Sequence, residues 1–523
     1  MSVKFDFYSI LPMALTDFSQ VKLAIILPHR VLELNSRKLI ATYLVRLILI
    51  LLVLPRAAYP LGLGKGGIPD ALEDPLFTRP PVLKFGPTLP DGVSIDCPVN
   101  VNLNTALSLD DVIDLALCNN PKIKQAWAQI KVQAGALGEA KGAYLPTVNA
   151  TYSPQQTQVN YQQFTQSNSI TNGHTAYANA TWRLFDFGGR AANRISSNLL
   201  LSAALESHNA AIQKSMQDVI QAYFDVITNA ASVKAKDDAV FFAKSSLEAT
   251  LRREMKGVSA KSDSLQAQAV LARAQLDSSR AQGDYRKSYA AIIFAMGLPT
   301  NSKIVLQDPK EYPHRQNLND LNIWLQQAQE DHPAIKAAKA QWDSAKEKIT
   351  AARAAGLPTI DFVGNFYQNG YPNQGLQPIK SNTTTVGLTL TIPIFEGFGT
   401  TYKIRGAQAQ AEKAQWEFED TEHQILTEIV KSHADAISSL ANLESSQKLL
   451  EVAKAALDSA VKRYDGGAAD ILELLSSQKT LADAQQERIR CISEWRSARL
   501  RLMTNAGVLG RVLEIQNSPK RSQ

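Results

Sequence analysis

Apolar and polar positions follow two different periods along the chain, and these periods define its elements. From Ala191 to Lys256, and again from Ala407 to Asp465, apolar or small residues recur at steps of three and four. Neither stretch contains a proline or a glycine. This pattern predicts two helices packed along their length against other helices, the first about 100 Å long. Since an ordinary coiled-coil rod has the same spacing, the helices alone leave that alternative open.

Four shorter segments show the two-residue period of β-strands. The clearest runs from Val386 to Ile394, where aliphatic side chains face one way and Gly, Thr and Pro face the other. Each segment has about the 9–11 residues that a tilted strand needs to cross a bilayer. The polar stretches between them, Pro154 to Gly173 and Gln368 to Thr384, are predicted to be exposed loops. The alternation is weaker in the other three segments. Within each segment, the following residues lie on one face of the strand: Val148, Ala150 and Tyr152; Ala176, Ala178, Ala180, Trp182 and Leu184; Ile360, Phe362, Gly364 and Phe366.

Four strands are too few to close a membrane barrel, because about eight is the minimum. A lipid-facing sheet with open edges would leave backbone groups without hydrogen-bond partners. The strands must therefore be pooled with those of other copies of the chain. Physics alone allows a dimer, a trimer or a larger ring.

The chain is internally duplicated. Asn120-Pro121 recurs as His332-Pro333, and the Leu-Pro-Thr that begins at Leu145 recurs at Leu357. Each copy therefore reads as a helix, a β-hairpin, a very long helix and a last helix. Further matches pair Phe185, Arg253, Gly257, Gln268 and Gly297 with Phe395, Arg463, Gly467, Gln478 and Gly507. We expect an N-terminal extension with a signal-like segment (1–58), a Pro-rich extension (59–106), a first repeat (107–300), a linker (301–317), a second repeat (318–510) and a tail (511–523).

The strongly apolar run Leu47 to Leu54 follows Arg37, Lys38 and Arg46. A short apolar core behind a basic flank predicts a secretory signal peptide, because a membrane span needs about 20 apolar residues. An inner-membrane anchor is the alternative. The long stretch before this run suggests a start codon assigned too far upstream.

Composition excludes several classes of function. A net charge of +6 on 523 residues, without a long basic run, does not indicate nucleic-acid binding. Three cysteines and seven scattered histidines lack the spacing of a zinc site, so neither a metal nor another cofactor is expected. The glycines from Gly62 to Gly67 lack phosphate-loop spacing, and no catalytic motif occurs elsewhere, so the chain is not expected to be an enzyme.

The duplicated strand–strand–long-helix plan resembles the TolC family of outer-membrane efflux and secretion channels. The resemblance covers 107–510 and includes the Leu-Pro-Thr entry to each hairpin and the exits Leu184 to Gly189 and Ile394 to Gly399. It implies an α+β membrane protein in which a homotrimer pools twelve strands into one transmembrane β-barrel, continued by a periplasmic α-barrel. It also implies passive export with a periplasmic adaptor (membrane fusion) protein and an inner-membrane pump, either ABC-type or proton-driven. A periplasmic coiled-coil adaptor or scaffold is the rival interpretation, and the alternating segments argue against it.

The resemblance further implies that the turn after each long helix forms a periplasmic tip, which carries the gate and meets the adaptor. Glu473 aligns with a constricting acid of the family, whereas a second family acid is replaced by Ser476. Tyr464 matches an aromatic residue that helps latch the closed state. In a threefold ring, three Glu473 carboxylates would attract cations. The alternative is that these acids are solvated, with Asp470 capping a helix. The tip residues so marked are Gly257, Asp263, Tyr464, Asp465, Gly467, Asp470 and Glu473.

Cys97 and Cys118 lie in a segment expected to be periplasmic, where disulfides persist. A bridge would tie the Pro-rich extension to the first helix and, by the loop-entropy model, contribute about 3 kcal/mol. Two free buried thiols are the alternative. The Cys-Asn-Asn-Pro segment that begins at Cys118 resembles a segment of secretion-type members. This resemblance favours type I protein secretion over drug efflux. Cys491 is expected to be a packed core residue.

Overall fold

A computed structural model describes residues 74–80, 97, 103, 105–160, 169–308, 320–369 and 381–507. The signal-like segment, most of the Pro-rich extension and the C-terminal tail lie outside the described residues. All elements below belong to one unit, Leu76–Gln523. In the described part of the chain, no helix has a stretch both long and apolar enough to cross a membrane.

The elements follow the same order twice along the chain, which confirms the predicted duplication of the fold. The first copy comprises β1 (Ala106–Leu107), α1 (Leu109–Asn119), α2 (Pro121–Gly142), β2 (Thr147–Val159), β3 (Ser169–Phe185), α3 (Gly189–Met255) and α4 (Lys261–Ala295). The second comprises β4 (Val305–Leu306), α5 (Leu321–Asp331), α6 (Pro333–Ala354), β5 (Thr359–Gln368), β6 (Asn382–Thr391), α7 (Gly399–Asp465) and α8 (Ile471–Asn505).

The two long helices have the same length of 67 residues. Our sequence boundary for the second was wrong, because α7 begins at Gly399 and continues through Gly406 instead of starting at Ala407. One helical glycine costs only about 1 kcal/mol, and packing against α6 and α8 along the helix offsets it.

Local sequence sets the helix starts. The Ser108 hydroxyl accepts from the Asp111 N–H while the Asp111 carboxylate accepts from the Ser108 N–H, which caps α1. Asn120 caps α2 and His332 caps α6, each followed by a proline whose missing N–H costs nothing in the first turn.

The strands form one antiparallel sheet in the order β2-β3-β5-β6. Its register places Val148 opposite Ala180, Gly364 opposite Ala180, and Val386 opposite Gly364. The alternating apolar positions therefore share one face, as predicted, except at the end of β3. A register shift between Arg183 and Phe185 places Phe185, instead of Leu184, opposite Ile360. On the opposite face Asn179 donates to Asn365 at 2.8 Å, and the Arg183 guanidinium pairs with Asp361 at 2.9 Å.

The first hairpin is longer than predicted. β2 extends to Val159 and β3 begins at Ser169, so most of the stretch from Pro154 to Gly173 is strand instead of loop. Ladder hydrogen bonds hold these polar residues extended, although their side chains lack the apolar alternation on which the prediction depended. The centres of both loops, 161–168 and 370–380, lie outside the described residues.

A second, two-stranded sheet was missed by the sequence analysis. β1 runs parallel to β4, with Ala106 opposite Val305 and Leu107 opposite Leu306. Strands of two residues are too short to show the alternation of apolar and polar positions. The pairing joins the start of the first repeat to the linker that follows it.

The largest core lies beside this small sheet, where α1, α3 and α4 meet. Val112, Val219, Tyr223 and Ile292 are essentially inaccessible to solvent there. The Tyr223 hydroxyl donates to the Gln307 carbonyl, which attaches the linker to the same core. The core therefore holds the middle of the long helix, and the β-hairpins and the helical tips lie towards its opposite ends.

Candidate functional site

The two helical tips are built by the same turn. α3 and α7 both end before a glycine in the left-handed region, Gly257 with φ of 71° and Gly467 with φ of 75°. The Val258 N–H then donates back to the Arg253 carbonyl at 3.0 Å, and the Ala468 N–H to the Arg463 carbonyl at 2.8 Å. This arrangement is a Schellman motif, which requires a positive φ that only glycine adopts at little cost.

In the first tip, Asp263 is held within its own turn. Its carboxylate accepts the Ser259 hydroxyl at 2.6 Å and the Ala260 N–H at 3.2 Å. The Ser259 hydrogen bond is the main cause that holds the pKa of Asp263 below its usual range, and the backbone hydrogen bond adds to it. Asp263 is therefore an anion that stabilises the start of α4.

In the second tip, two acidic side chains make different contacts. The Asp470 carboxylate caps α8 by accepting the Glu473 N–H at 2.9 Å. The Glu473 carboxylate accepts a hydrogen bond from the Arg463 guanidinium, with Nη1 and Oε1 2.8 Å apart. Both side chains are partly exposed. Asp465 is exposed and has no ion pair within the part of the chain that the structure describes. Asp263 and Glu473 occupy the same third helical position, where the helix dipole favours an anion.

Arg253 joins the two hairpins of helices at this end, and the Gln478 amide donates to the Ser246 hydroxyl at 2.7 Å farther from the tips. The Arg253 guanidinium lies 4.5 Å from the ring centroid of Tyr464 and donates to the Tyr464 carbonyl at 3.1 Å. Tyr464 is only 6 % exposed and packs in a small apolar cluster with Ile471, Leu474 and Leu475. Arg253 was missed as a site residue, because it counted only as a repeat match. Its place in the turn gave no signal, because Arg463 occupies the same position of the second turn and stays in its own hairpin.

A groove of about 750 Å³ runs beside the tips between the two helix pairs. Its apolar lining includes Phe242 of α3, Val270 of α4, and Leu472 and Leu475 of α8. Charged side chains of both signs line it, among them Lys479 and Asp483, and Arg273 pairs with Asp277 at 3.3 Å.

The structure joins Cys97 to Cys118 by a disulfide, with Cα atoms 5.6 Å apart. Cys118 lies in the last turn of α1, so the bond attaches Cys97, which precedes the first repeat, to that helix. Cys491 is a buried free thiol inside α8. Among the described residues, no group of His, Cys, Asp and Glu side chains is placed to hold a metal ion.

Comparison with protein families gives one family on both repeats. The model for the outer membrane efflux protein family matches residues 112–298 and 324–508. Protein CyaE of Bordetella pertussis is 31% identical over 466 residues, which covers 89% of this chain and 96% of that protein. Alkaline protease secretion protein AprF of Pseudomonas aeruginosa is 21% identical over 418 residues, covering 77% of this chain and 85% of that protein.

Solved structures have the same fold. The outer membrane protein VceC of Vibrio cholerae superposes with a TM-score of 0.67 at 20% identity, covering 76% of this chain and 96% of that one. The CmeC outer membrane channel of Campylobacter jejuni gives 0.68 at 17% identity, covering 81% and 94%. These matches confirm the expected fold class.

Proposed function

Because this chain belongs to the outer membrane efflux protein family, we propose that three copies of it form one passive exit duct. The protein is located in the outer membrane, with a large helical part in the periplasm. The proposal rests on the sheet. Its apolar face is exposed, with Val386, Leu388 and Leu390 each at least 60% accessible. Its edge strands β2 and β6 each pair on one side only within the described chain. Three such sheets would give the twelve strands that the family resemblance implies.

In this assembly the polar face of the sheet lines the lumen. The Asn179–Asn365 hydrogen bond and the Arg183–Asp361 ion pair lie on that face, and Tyr177 stacks on Tyr367 at 5.0 Å. Hydrogen-bonded pairs on this face supply a hydrated wall without unpaired charge. Repeats 107–300 and 318–510 would then act as structural units around the duct, a division supported by the two separate family matches.

The tips form the periplasmic gate of the proposed duct. A threefold axis brings three copies of each tip together, and the Glu473 carboxylates then form an anionic ring. The ring is only partly neutralised by Arg463, because both side chains of that pair are partly exposed to water. Asp263 and Asp470 have capping roles, while Gly257 and Gly467 set the turns.

The duct would work with a periplasmic adaptor protein and an inner-membrane pump. The groove between the helix pairs supports this step, since it offers an apolar strip flanked by Arg273 and Lys479 to a helical hairpin of the adaptor. Similarity to a protein named for alkaline protease secretion supports protein export. We therefore favour an ABC-type pump and type I secretion over proton-driven drug efflux.

The subunit count tests the assembly. Native mass spectrometry of the protein, extracted in detergent from purified outer membranes, should give a trimer. A monomer, or recovery in the soluble or inner-membrane fraction, would overturn the proposal.

The gate is tested separately by planar-bilayer conductance with divalent cations added on the periplasmic side. Glu473→Gln should weaken the cation block, because the carboxylate ring is lost while the backbone hydrogen bond to Asp470 remains. Asp458→Asn removes an exposed acid from α7 away from the turn and serves as the control. Equal block in the wild type and Glu473→Gln would remove Glu473 from the gate.

A further inference from the structure

A surface of cations and aromatic rings lies where the first β-hairpin meets its helices. Tyr144 follows α2, and the guanidinium groups of Arg190 and Arg194 lie 4.9 and 5.7 Å from its ring centroid. The Trp182 indole N–H donates to the Tyr144 carbonyl at 2.9 Å. Lys141 lies one helical turn before Tyr144, on α2. These residues are the Tyr144 surface: Lys141, Tyr144, Trp182, Arg190 and Arg194.

The three cations of the Tyr144 surface differ in their partners. Arg190 is structural, because its guanidinium pairs with Asp186 at 3.1 Å and donates to the Arg183 and Leu184 carbonyls. Lys141 donates to two backbone carbonyls, of Leu76 at 3.0 Å and of Phe77 at 3.2 Å.

Arg194 is exposed on α3. Within the described ranges neither Lys141 nor Arg194 meets a carboxylate. These two positive charges are therefore not neutralised by a carboxylate among the described residues.

The position of Trp182 fixes which side of the sheet this surface is on. Trp182 is opposite Phe362, which is opposite Leu388, so all three belong to the exposed apolar face. In the proposed assembly, on which this inference rests, that face meets lipid in the outer membrane. Because the helices are periplasmic, the junction lies at the level of the inner-leaflet headgroups, where tryptophan and basic side chains are favoured.

The second repeat makes the same junction without the tyrosine ring and the arginines over it. Gly356 stands in the position of Tyr144, Thr400 in that of Arg190 and Ile404 in that of Arg194. The Thr400 methyl group would lie 2.7 Å from a Cβ at Gly356, so a larger side chain there would require Thr400 to move. The second repeat keeps a cation at the Lys141 position, where it has Arg353, but it lacks the ring and the two arginines that lie over the ring.

We propose that the Tyr144 surface binds the phosphate of an anionic phospholipid from the inner leaflet of the outer membrane. Lys141 and Arg194 provide the positive charge, and Arg194 can offer two parallel N–H donors to phosphate oxygens. Trp182 and the apolar strand face beside it cover the upper part of an acyl chain. This inference goes beyond the proposed function and needs neither the gate nor the adaptor.

The experiment uses full-length protein in detergent, titrated with phosphatidylglycerol and observed by native mass spectrometry. The wild type should bind one lipid per chain saturably, and phosphatidylcholine should bind much more weakly. The double variant Lys141→Gln, Arg194→Gln should lose roughly thirtyfold in affinity, as expected for two interfacial charges. Lys403→Gln, which removes an exposed cation near the same junction of the second repeat, should bind as the wild type does.

Three results would overturn the proposal: equal affinity in the double variant, equal binding of phosphatidylcholine, or full displacement of the lipid by equimolar inorganic phosphate. The last result would identify free phosphate as the ligand. If the double variant does not fold, the single variant Arg194→Gln tests the proposal, because the Arg194 side chain is exposed. The subunit count appears in the same spectra, so failure of the trimer is distinguished from failure of lipid binding.

Discussion

Arg253 and Arg463 occupy equivalent positions in the two repeats, yet their side chains act in different places. Both carbonyls accept the hydrogen bond that closes a tip turn. The Arg253 side chain crosses to the other hairpin and covers the Tyr464 ring, whereas the Arg463 side chain stays in its own hairpin on Glu473. The first tip has Glu254 where the second has Tyr464, so Arg463 finds no ring to cross to.

This difference makes the link between the hairpins one-sided. A partly exposed ion pair such as Arg463–Glu473 contributes about 0–1 kcal/mol. A guanidinium over a buried ring that also donates to a carbonyl contributes more, roughly 2–3 kcal/mol. The two turns are alike, and the difference at one position, tyrosine against glutamate, decides which arginine reaches the other hairpin.

Arg253→Gln is the strongest test of this one-sided link. Glutamine keeps a polar side chain but loses the positive charge over Tyr464, so the hairpins should separate more readily. Planar-bilayer recordings should show a conductance several times that of the wild type, as expected for the loss of about 2 kcal/mol from a closed state.

The matched control is Arg463→Gln at the equivalent position. It should leave the conductance in monovalent salt near the wild-type value and strengthen the block by divalent cations, because it frees the Glu473 carboxylate. Equal conductance increases in both variants would contradict the one-sided link.

The residues before the repeated prolines differ in chemistry but not in position. Asn120 caps α2 with its side-chain oxygen, while its amide donates to Ser215 at 2.9 Å and to the Ala295 carbonyl. His332 caps α6 through Nδ1, which accepts the Ala334 N–H at 3.2 Å and must therefore be unprotonated. Burial lowers the pKa of His332 to about 4.

His332→Asn should therefore change the pH dependence of stability. The folded pKa of His332 lies below the unfolded value of about 6.5, so the unfolded chain binds more protons between the two. The free energy of unfolding of the wild type should rise by up to about 3 kcal/mol from pH 4 to 6.5. Asparagine keeps a cap without titrating, so the variant should lose that part of the slope.

Thermal unfolding midpoints measured across this range in one detergent provide the readout. His423→Asn, on the exposed part of α7, is the control and should keep the wild-type slope. An unchanged slope in His332→Asn would show that the cap does not titrate.

The fold was predicted well where a pattern extends over many residues and poorly where it does not. The duplicated elements, the long helices and the shared apolar face follow from periods that extend over many residues, as from Val386 to Ile392. The length of β2 and β3 did not follow, because Gln155, Thr157 and their neighbours are held by ladder bonds and not by burial.

The candidate site was predicted unevenly. The positions of Gly257 and Gly467 follow from the turn they make, and their place at the ends of α3 and α7 agrees with that expectation. The Arg253–Tyr464 contact joins residues far apart in sequence, and it depends on how two hairpins pack. No local pattern contains that information.

The smallest expected effect concerns Asp263, whose function we infer to be confined to its own turn. The Ser259 hydroxyl and the Ala260 N–H lower its pKa, so its stabilising contribution is present above the unfolded pKa of about 3.8 and is lost as the pH falls through the folded value. Asp263→Asn should therefore lower the unfolding midpoint slightly and equally from pH 5 to 8, and the difference should shrink at pH 3. Asp470→Asn, which keeps a capping side chain, should not change the midpoint. A large conductance change in Asp263→Asn would instead assign Asp263 to the gate, and the two tips would then share that role.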